Sequence, residues 1–244
     1  VLLFTGCLID KIFPNVGIAA VKTLLHHNAR VIIPKGQGCC GIPALASGDT
    51  KTFETLLNRH ADLFKNEKFD YLVTACATCT STIKKLWPTI GKDIQGLNPE
   101  RLKQISDKTY DISQFLAKIP GINTQDTIPD EDKKTATYHD PCHLAKSLGV
   151  REEPRQLINA ASGYTLKEMT DPDRCCGMGG SFNLYHYDLS SQIGSIKRQN
   201  IEDTGCDTIA TSCPACMLQI SDMLAKGRGG IEIKHPVELY AEGI

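Results

Sequence analysis

Ten of the eleven cysteines in this 244-residue chain fall into two copies of one spacing. Cys7, Cys39, Cys40, Cys76 and Cys79 read C-x31-CC-x35-CxxC; Cys142, Cys175, Cys176, Cys213 and Cys216 read C-x32-CC-x36-CxxC. Matching cysteines are offset by 135, 136, 136, 137 and 137 residues. The flanks repeat as well, GCCGIPA (38–44) against RCCGMGG (174–180) and TACATC (74–79) against TSCPAC (211–216). A fixed internal period is the mark of a duplicated structural unit.

Five convergent thiols can do few things. The Cα atoms of Cys39 and Cys40 sit about 3.8 Å apart across a trans peptide, short of the roughly 4.4–6.8 Å of an ordinary disulfide. Cross-pairing the others leaves one over in each copy. Structural zinc takes four ligands, which CxxC plus the adjacent pair supply while Cys7 stands idle; zinc in one copy is an open alternative. Iron–sulfur clusters are bound by thiolates, usually four per cluster, and five per copy suggests an unusual or larger one. Converging thiolates repel and stay protonated unless a cation neutralises them. Cys79 and Cys216 fall in the first turn of a predicted helix, where the dipole favours a thiolate. Gly41, Gly177, Gly179 and Gly180 would let the backbone approach a cluster, or simply form tight turns.

Other reactive side chains carry weaker signals. Cys206 has no counterpart in the first copy and reads as a buried structural thiol. His139 and His143 flank Cys142 in YHDPCH, where they serve either local turn structure or hydrogen bonding and proton relay at a cluster; the first copy, FTGCLI, lacks both. Asp140 and Pro141 read as turn residues. His26, His27, His60 and His186 form no recognisable constellation, and neither a dinucleotide fingerprint, a P-loop nor a nucleophile elbow is present.

The elements that must position the cysteines alternate between strand and helix. In the first copy, strands are expected at 1–5, 30–34 and 70–75 and helices at 16–27 (after Asn15 as N-cap) and 50–66. In the second, strands are expected at 135–139, 164–169 and 207–211 and helices at 154–162, 187–204 and 214–224. Pro154 and Pro214 suit helix entry, and Gly163 and Gly205 suit helix exit. Such alternation implies parallel sheets, and the cysteines fall just past the strand ends, where open α/β sheets bind ligands. The expected fold is α/β, two pseudo-symmetric Rossmann-like lobes, each a small parallel sheet flanked by helices. The expected boundaries are 1–106 for the first lobe, 107–134 for a linker with a packing helix at 111–119 (Ile112, Phe115, Leu116 and Ile119 on one face), and 135–244 for the second lobe. TQDTIPDEDKK (124–134) reads as an exposed connector.

Apolar content is 41%, charged content 23% and formal net charge −1, which favours neither nucleic acid nor an anionic membrane. No stretch approaches the ~20 apolar residues of a membrane span. Residues 1–5 read as a buried strand rather than a secretory signal, so a cytoplasmic location is expected.

The duplicated pattern, with CCG at 39–41 and 175–177, resembles the CCG cysteine-rich domain. That domain occurs in the iron–sulfur subunits of glycolate oxidase and lactate-utilisation enzymes, in anaerobic glycerol-3-phosphate dehydrogenase, and in the B subunit of heterodisulfide reductase. GQGCCGIPA (36–44), YHDPCH (138–143) and HPVELYAEG (235–243) look most like the glycolate/lactate branch. The resemblance implies an electron-transfer subunit of a 2-hydroxyacid dehydrogenase complex. A flavoprotein partner would supply electrons, and a quinone or another carrier would accept them, with docking through a partner at the inner face of the cytoplasmic membrane as one arrangement. It also implies a noncubane 4Fe–4S cluster on the five cysteines of each lobe, with zinc replacing iron in one lobe in some relatives. Two alternatives stand beside it: a heterodisulfide-reductase-type catalytic subunit that cleaves a disulfide at such a cluster, and a zinc-stabilised assembly scaffold. The start at Val1 inside a strand, with no initiator Met, fits the C-terminal part of a longer subunit whose upstream part is a ferredoxin-like domain with two cubane clusters.

Overall fold

The computed structural model describes residues 1–124 and 129–244. It divides into two compact units, Val1–Ile112 and Ser113–Ile244, called here lobe one and lobe two. Among the described residues, lobe one carries β1 (Leu2–Leu3), α1 (Gly6–Lys11), α2 (Pro14–His26), α3 (Ile42–Ala46), α4 (Thr50–Leu63), β2 (Leu72–Thr74), α5 (Ala77–Ser81), a π-helical turn (Thr82–Leu86), α6 (Trp87–Gly91), α7 (Pro99–Asp107) and β3 (Thr109–Asp111). Helix α8 (Ile112–Lys118) leads into lobe two, which continues with β4 (Lys134–Tyr138), α9 (Cys142–Leu148), α10 (Glu152–Ala160), β5 (Tyr164–Leu166), α11 (Phe182–Tyr185), α12 (Tyr187–Glu202), β6 (Thr208–Ala210), α13 (Pro214–Ala225), β7 (Glu232–Lys234) and α14 (Pro236–Glu242).

Each lobe is a small parallel sheet flanked by helices. The strand orders are β1-β2-β3 and β5-β4-β6-β7. The duplication extends to register: Leu2 pairs with Leu72 and Leu3 with Val73, while Thr137 pairs with Ile209 and Tyr138 with Ala210. These are the same pairs shifted by 135 and 137 residues. Farther on, the last strand pairs in register with an offset of 124, Thr109 to Leu72 as Ile233 to Ile209, and α8 and α14 keep that offset, because lobe one has extra chain between Cys79 and its last strand.

Local chemistry sets the boundaries. Asp49 caps α4, its carboxylate accepting the Thr52 N–H at 3.0 Å. Pro214 occupies the first turn of α13. In α14 the His235 side chain accepts the Val237 N–H at 3.1 Å, and Glu238 accepts the His235 N–H at 2.7 Å, a reciprocal cap that explains the HPVEL run. The core of lobe two joins Ala136, Tyr138, Ile158, Ala161, Tyr164, Ala210 and Leu239, all buried.

Several expected details differ. The 30–34 strand shrinks to one bridge, Ile32 to Leu2, because Pro34 supplies no N–H and ends the pairing. Helix α2 starts at Pro14, with Phe13 rather than Asn15 before it. Pro154 is the third residue of α10, behind Glu152 and Glu153, which suit the positive end of the helix dipole. Gly205 has a left-handed φ of 66° and Gly163 does not. The 107–134 stretch is more than a linker, since β3 completes the first sheet. Ile112, Phe115 and Leu116 of α8 are buried, but Ile119 lies past the helix end and is exposed. The connector expected at 124–134 falls in part on residues 125–128, outside the described residues.

Candidate metal centres

The five cysteines of each lobe gather past the carboxyl ends of the strands. In lobe one, β1 leads to Cys7 at the start of α1, and β2 leads to Cys76. Cys76 is the cap residue of α5, and its sulfur accepts the Cys79 N–H at 3.4 Å. Cys39 and Cys40 sit on the loop before α3. The lobe-one sulfurs run in one hydrogen-bonded series, Cys7–Cys39–Cys40–Cys79–Cys76. Lobe two repeats it as Cys142–Cys175–Cys176–Cys216–Cys213. The same order of contacts in both lobes is built from the same offsets in sequence.

One sulfur of each adjacent pair takes hydrogen bonds from both neighbouring thiols and is pushed down: Cys40 well below the ordinary thiol range, and Cys175 to about 2. The other sulfurs are raised, in each case first by a hydrogen bond to one neighbouring thiol, with burial adding to it: Cys7, Cys39, Cys79, Cys142 and Cys216, and Cys176, which reaches about 12. Without a cation, then, most of the set keeps its protons. This is the behaviour of a donor set that needs a metal to ionise. Cys142 and Cys175 are exposed and Cys7 and Cys39 partly so, while Cys40, Cys76, Cys79, Cys176, Cys213 and Cys216 are buried.

The backbone is shaped to fit around the sulfurs. Gly41 and Gly177 both have φ of 96°, and their N–H groups donate to Cys39 Sγ at 3.4 Å and Cys175 Sγ at 3.3 Å. A Cβ on Gly41 would meet Phe53 at 2.7 Å, and one on Gly177 would meet the Ser190 carbonyl at 2.5 Å. A Cβ on Gly6, also left-handed, would stand 3.1 Å from Cys79 Sγ. Five thiols in one contact series, with close approach kept open by glycine, fit a polynuclear cluster.

Several supporting residues carry little or no signal in the sequence. In lobe one, Gln37 ties the cysteine loop to β1: its Oε1 accepts the Thr5 N–H at 3.0 Å and its Nε2 donates to the Leu3 carbonyl at 2.9 Å. Trp87 Nε1–H donates to the Cys40 carbonyl at 3.0 Å. His60, fully buried, donates from Nδ1 to the Leu56 carbonyl at 2.7 Å and accepts the Gly38 N–H at 3.2 Å on Nε2. Lys197 stands in its place in lobe two, offset by 137. It is also buried, and it donates to the carbonyls of Asp171 (2.7 Å) and Pro172 (3.1 Å) before the second cysteine pair. Burial pushes Lys197 down to about 8.

Asp140 is no mere turn residue. It is 2% exposed and is held by both terminal nitrogens of Arg155, at 3.0 and 2.9 Å. Arg155 also binds Glu168 at 2.6 and 3.0 Å. Of the two flanking histidines, His139 is fully buried beside the cysteines and His143 is exposed. Burial, then the charge of Lys197, pushes His139 down to about 4. Cys206 is buried under α12, its sulfur 3.9 Å from the Ile201 carbonyl.

The model of the CCG cysteine-rich domain matches residues 1–84 and again 136–221. The chain belongs to the CCG cysteine-rich domain family. Both matched ranges start at the strand that leads to the first cysteine and end beyond the CxxC. The chain is 35% identical to the B subunit of a fumarate reductase (CoM/CoB) from Methanothermobacter marburgensis, over 97% of its own length and 45% of the relative's. It is 34% identical to an uncharacterized iron–sulfur protein of Methanococcus maripaludis, over 91% of its length and 41% of that protein's. It thus spans less than half the length of these two relatives. Lactate utilization protein A of Bacillus cytotoxicus is 30% identical, with 98% of this chain and 97% of that one covered. Among solved structures, a glutamate racemase from Bacillus anthracis covers 99% of this chain and 79% of its own at 12% identity and a TM-score of 0.39, a likeness too loose to carry any argument. No helix among the described residues is long and apolar enough to cross a membrane.

Proposed function

We propose that the chain is an iron–sulfur electron-transfer subunit in which each lobe holds one cluster on its five cysteines. Cys7, Cys39, Cys40, Cys76 and Cys79 serve lobe one; Cys142, Cys175, Cys176, Cys213 and Cys216 serve lobe two. The observation that carries this reading is the unbroken series of five sulfurs, repeated in the same order in both lobes. One zinc ion would use four donors and leave the fifth without a task, so the reading takes a 4Fe–4S cluster of the noncubane type. Such a cluster supplies reversible one-electron chemistry, and the protein around it supplies ligation, burial and tuning. The names of relatives that include an iron–sulfur protein and lactate utilization proteins favour a redox complex acting on 2-hydroxyacids such as lactate or glycolate. In that complex a flavoprotein partner hands electrons to this chain and a quinone or other carrier takes them away.

The test is iron, acid-labile sulfide and zinc per chain after purification without oxygen. About eight irons with matching sulfide are expected, two four-iron clusters at the usual composition. One zinc with half that iron would make one lobe structural. Zinc alone would sink the electron-transfer reading and leave a metal-stapled scaffold.

A second reading is disulfide cleavage at the cluster. The exposure of Cys142 and Cys175 favours it, because it leaves one side of the lobe-two set open to solvent, as does the relative named for fumarate reduction with CoM/CoB. Turnover of a low-molecular-weight disulfide by the reduced, iron-loaded chain alone would select this reading over simple relay.

A further inference from the structure

Lobe two carries a donor that lobe one lacks. Position 139 is related to position 4 by the same 135-residue offset that relates Cys142 to Cys7. The two backbones are equivalent: the Phe4 N–H donates to the Val73 carbonyl at 2.8 Å, and the His139 N–H donates to the Ala210 carbonyl, the matching residue, at 2.9 Å. The side chains differ in kind. Phe4 is an apolar ring set edge-on to His60 at 5.2 Å and to Trp87 at 6.2 Å. His139 offers two nitrogens in a fully buried setting.

The hydrogen on that ring can be placed. Nδ1 lies 3.1 Å from the Pro172 carbonyl oxygen. A carbonyl only accepts, so Nδ1 carries the hydrogen and Nε2 of the neutral ring presents a lone pair. The same carbonyl takes the Asp140 N–H at 3.0 Å and Lys197 Nζ at 3.1 Å, which fixes it in place. Nε2 is buried and has no hydrogen-bond partner, a costly state unless something takes the lone pair. A ring nitrogen of His139 and the sulfurs of Cys176 and Cys216 all lie within 4.8 Å of one another. With Nδ1 committed to Pro172, Nε2 is the nitrogen free to bind. An imidazole whose other nitrogen donates to a backbone carbonyl is the usual form of a metal-binding histidine.

We propose that His139 Nε2 is a metal ligand in lobe two. The lobe-two centre is then mixed thiolate–imidazole, and the lobe-one centre, with Phe4 in that place, is thiolate only. This inference rests on the reading that each lobe holds an iron–sulfur cluster. A bare Nε2 cannot donate to a cluster sulfur, so ligation is the role left to it at such a centre. A ligand bound to one cluster only changes that cluster's electron density and so its reduction potential. The two lobes therefore differ in potential.

The experiment is pulsed electron paramagnetic resonance on the full chain, purified without oxygen, with histidine at natural abundance or labelled with nitrogen-15. The expected result is a cluster signal with a directly bound nitrogen whose coupling changes with the label and is lost in His139→Phe, the residue lobe one uses. In a redox titration of that variant, one of two steps moves and the other stays. His139→Gln, which keeps a polar contact to Pro172 within reach, must lose the coupling as well; the labelled parent protein gives the answer with no substitution. Full iron and sulfide in both lobes with no histidine coupling would overturn the inference and leave the cluster reading standing. A chain that retains neither iron nor sulfide would overturn both.

Discussion

At the residue scale, the glycines beside the cysteine pairs are as specific as the cysteines. Gly41 and Gly177 share a φ of 96° and each donates to the first sulfur of its pair. Gly177→Ala must strain the left-handed backbone, at about 1–3 kcal/mol, and push against the Ser190 carbonyl. We expect a lower urea midpoint and loss of iron from lobe two with lobe one still loaded, read by metal content. Arg155→Met takes both close hydrogen bonds from the buried Asp140 carboxylate and leaves it only the looser ion pair to Arg151 at 3.7 Å, a loss of at most about 3–5 kcal/mol; adding Asp140→Asn should recover part of it, which a double-mutant cycle in urea measures. The cysteines are legible because identity and spacing repeat. Arg155, and the choice between the two roles open to His139, are not, because their partners lie far along the chain: Asp140 is 15 residues from Arg155, and Pro172 is 33 from His139. His60 does leave a trace in the sequence, since Phe53, Leu57, His60 and Phe64 share one face of α4 at spacings of 4, 3 and 4 and are all fully buried.

At the scale of elements, helices are more legible than strands. Alternation and capping residues place α4 and α13 to within a few residues of their observed ends. The strands are two to five residues long, and β3 and β7, with sequences TYD and EIK, are too short and too polar to show a pattern. The π-helical turn at Thr82–Leu86 has no compositional signature either, yet it follows Cys79 closely and Thr82 hydrogen-bonds Cys40. Such turns recur at functional sites. Behind it, Trp87 pins the cysteine loop, and Trp87→Phe should cost about 1–3 kcal/mol through the unpaired Cys40 carbonyl and make the lobe-one cluster easier to lose to a chelator. Asp49→Ala removes only a cap. It should lower the melting temperature modestly and leave the iron content unchanged. The pair of variants separates support of the cluster loop from general stability.

At the scale of the whole molecule, the proposed reading gives each lobe a complete donor set. Cys76→Ser with Cys79→Ser should therefore halve the iron and sulfide and leave the lobe-two signal intact, since sites with no shared partners behave additively. Loading should also release protons, because Cys7, Cys79, Cys142, Cys176 and Cys216 hold theirs above the ordinary thiol range in the empty set; calorimetry in buffers of different ionisation enthalpy reads the number. The boundary between the lobes has one more consequence, in time rather than space. The five donors of lobe one end at Cys79 and its sheet ends at Asp111, all before the first residue of lobe two is added. Domains emerging from the ribosome fold in order of synthesis. A nascent chain whose first lobe has cleared the ribosome thus already carries every thiol of the first proposed centre while the second is still being made.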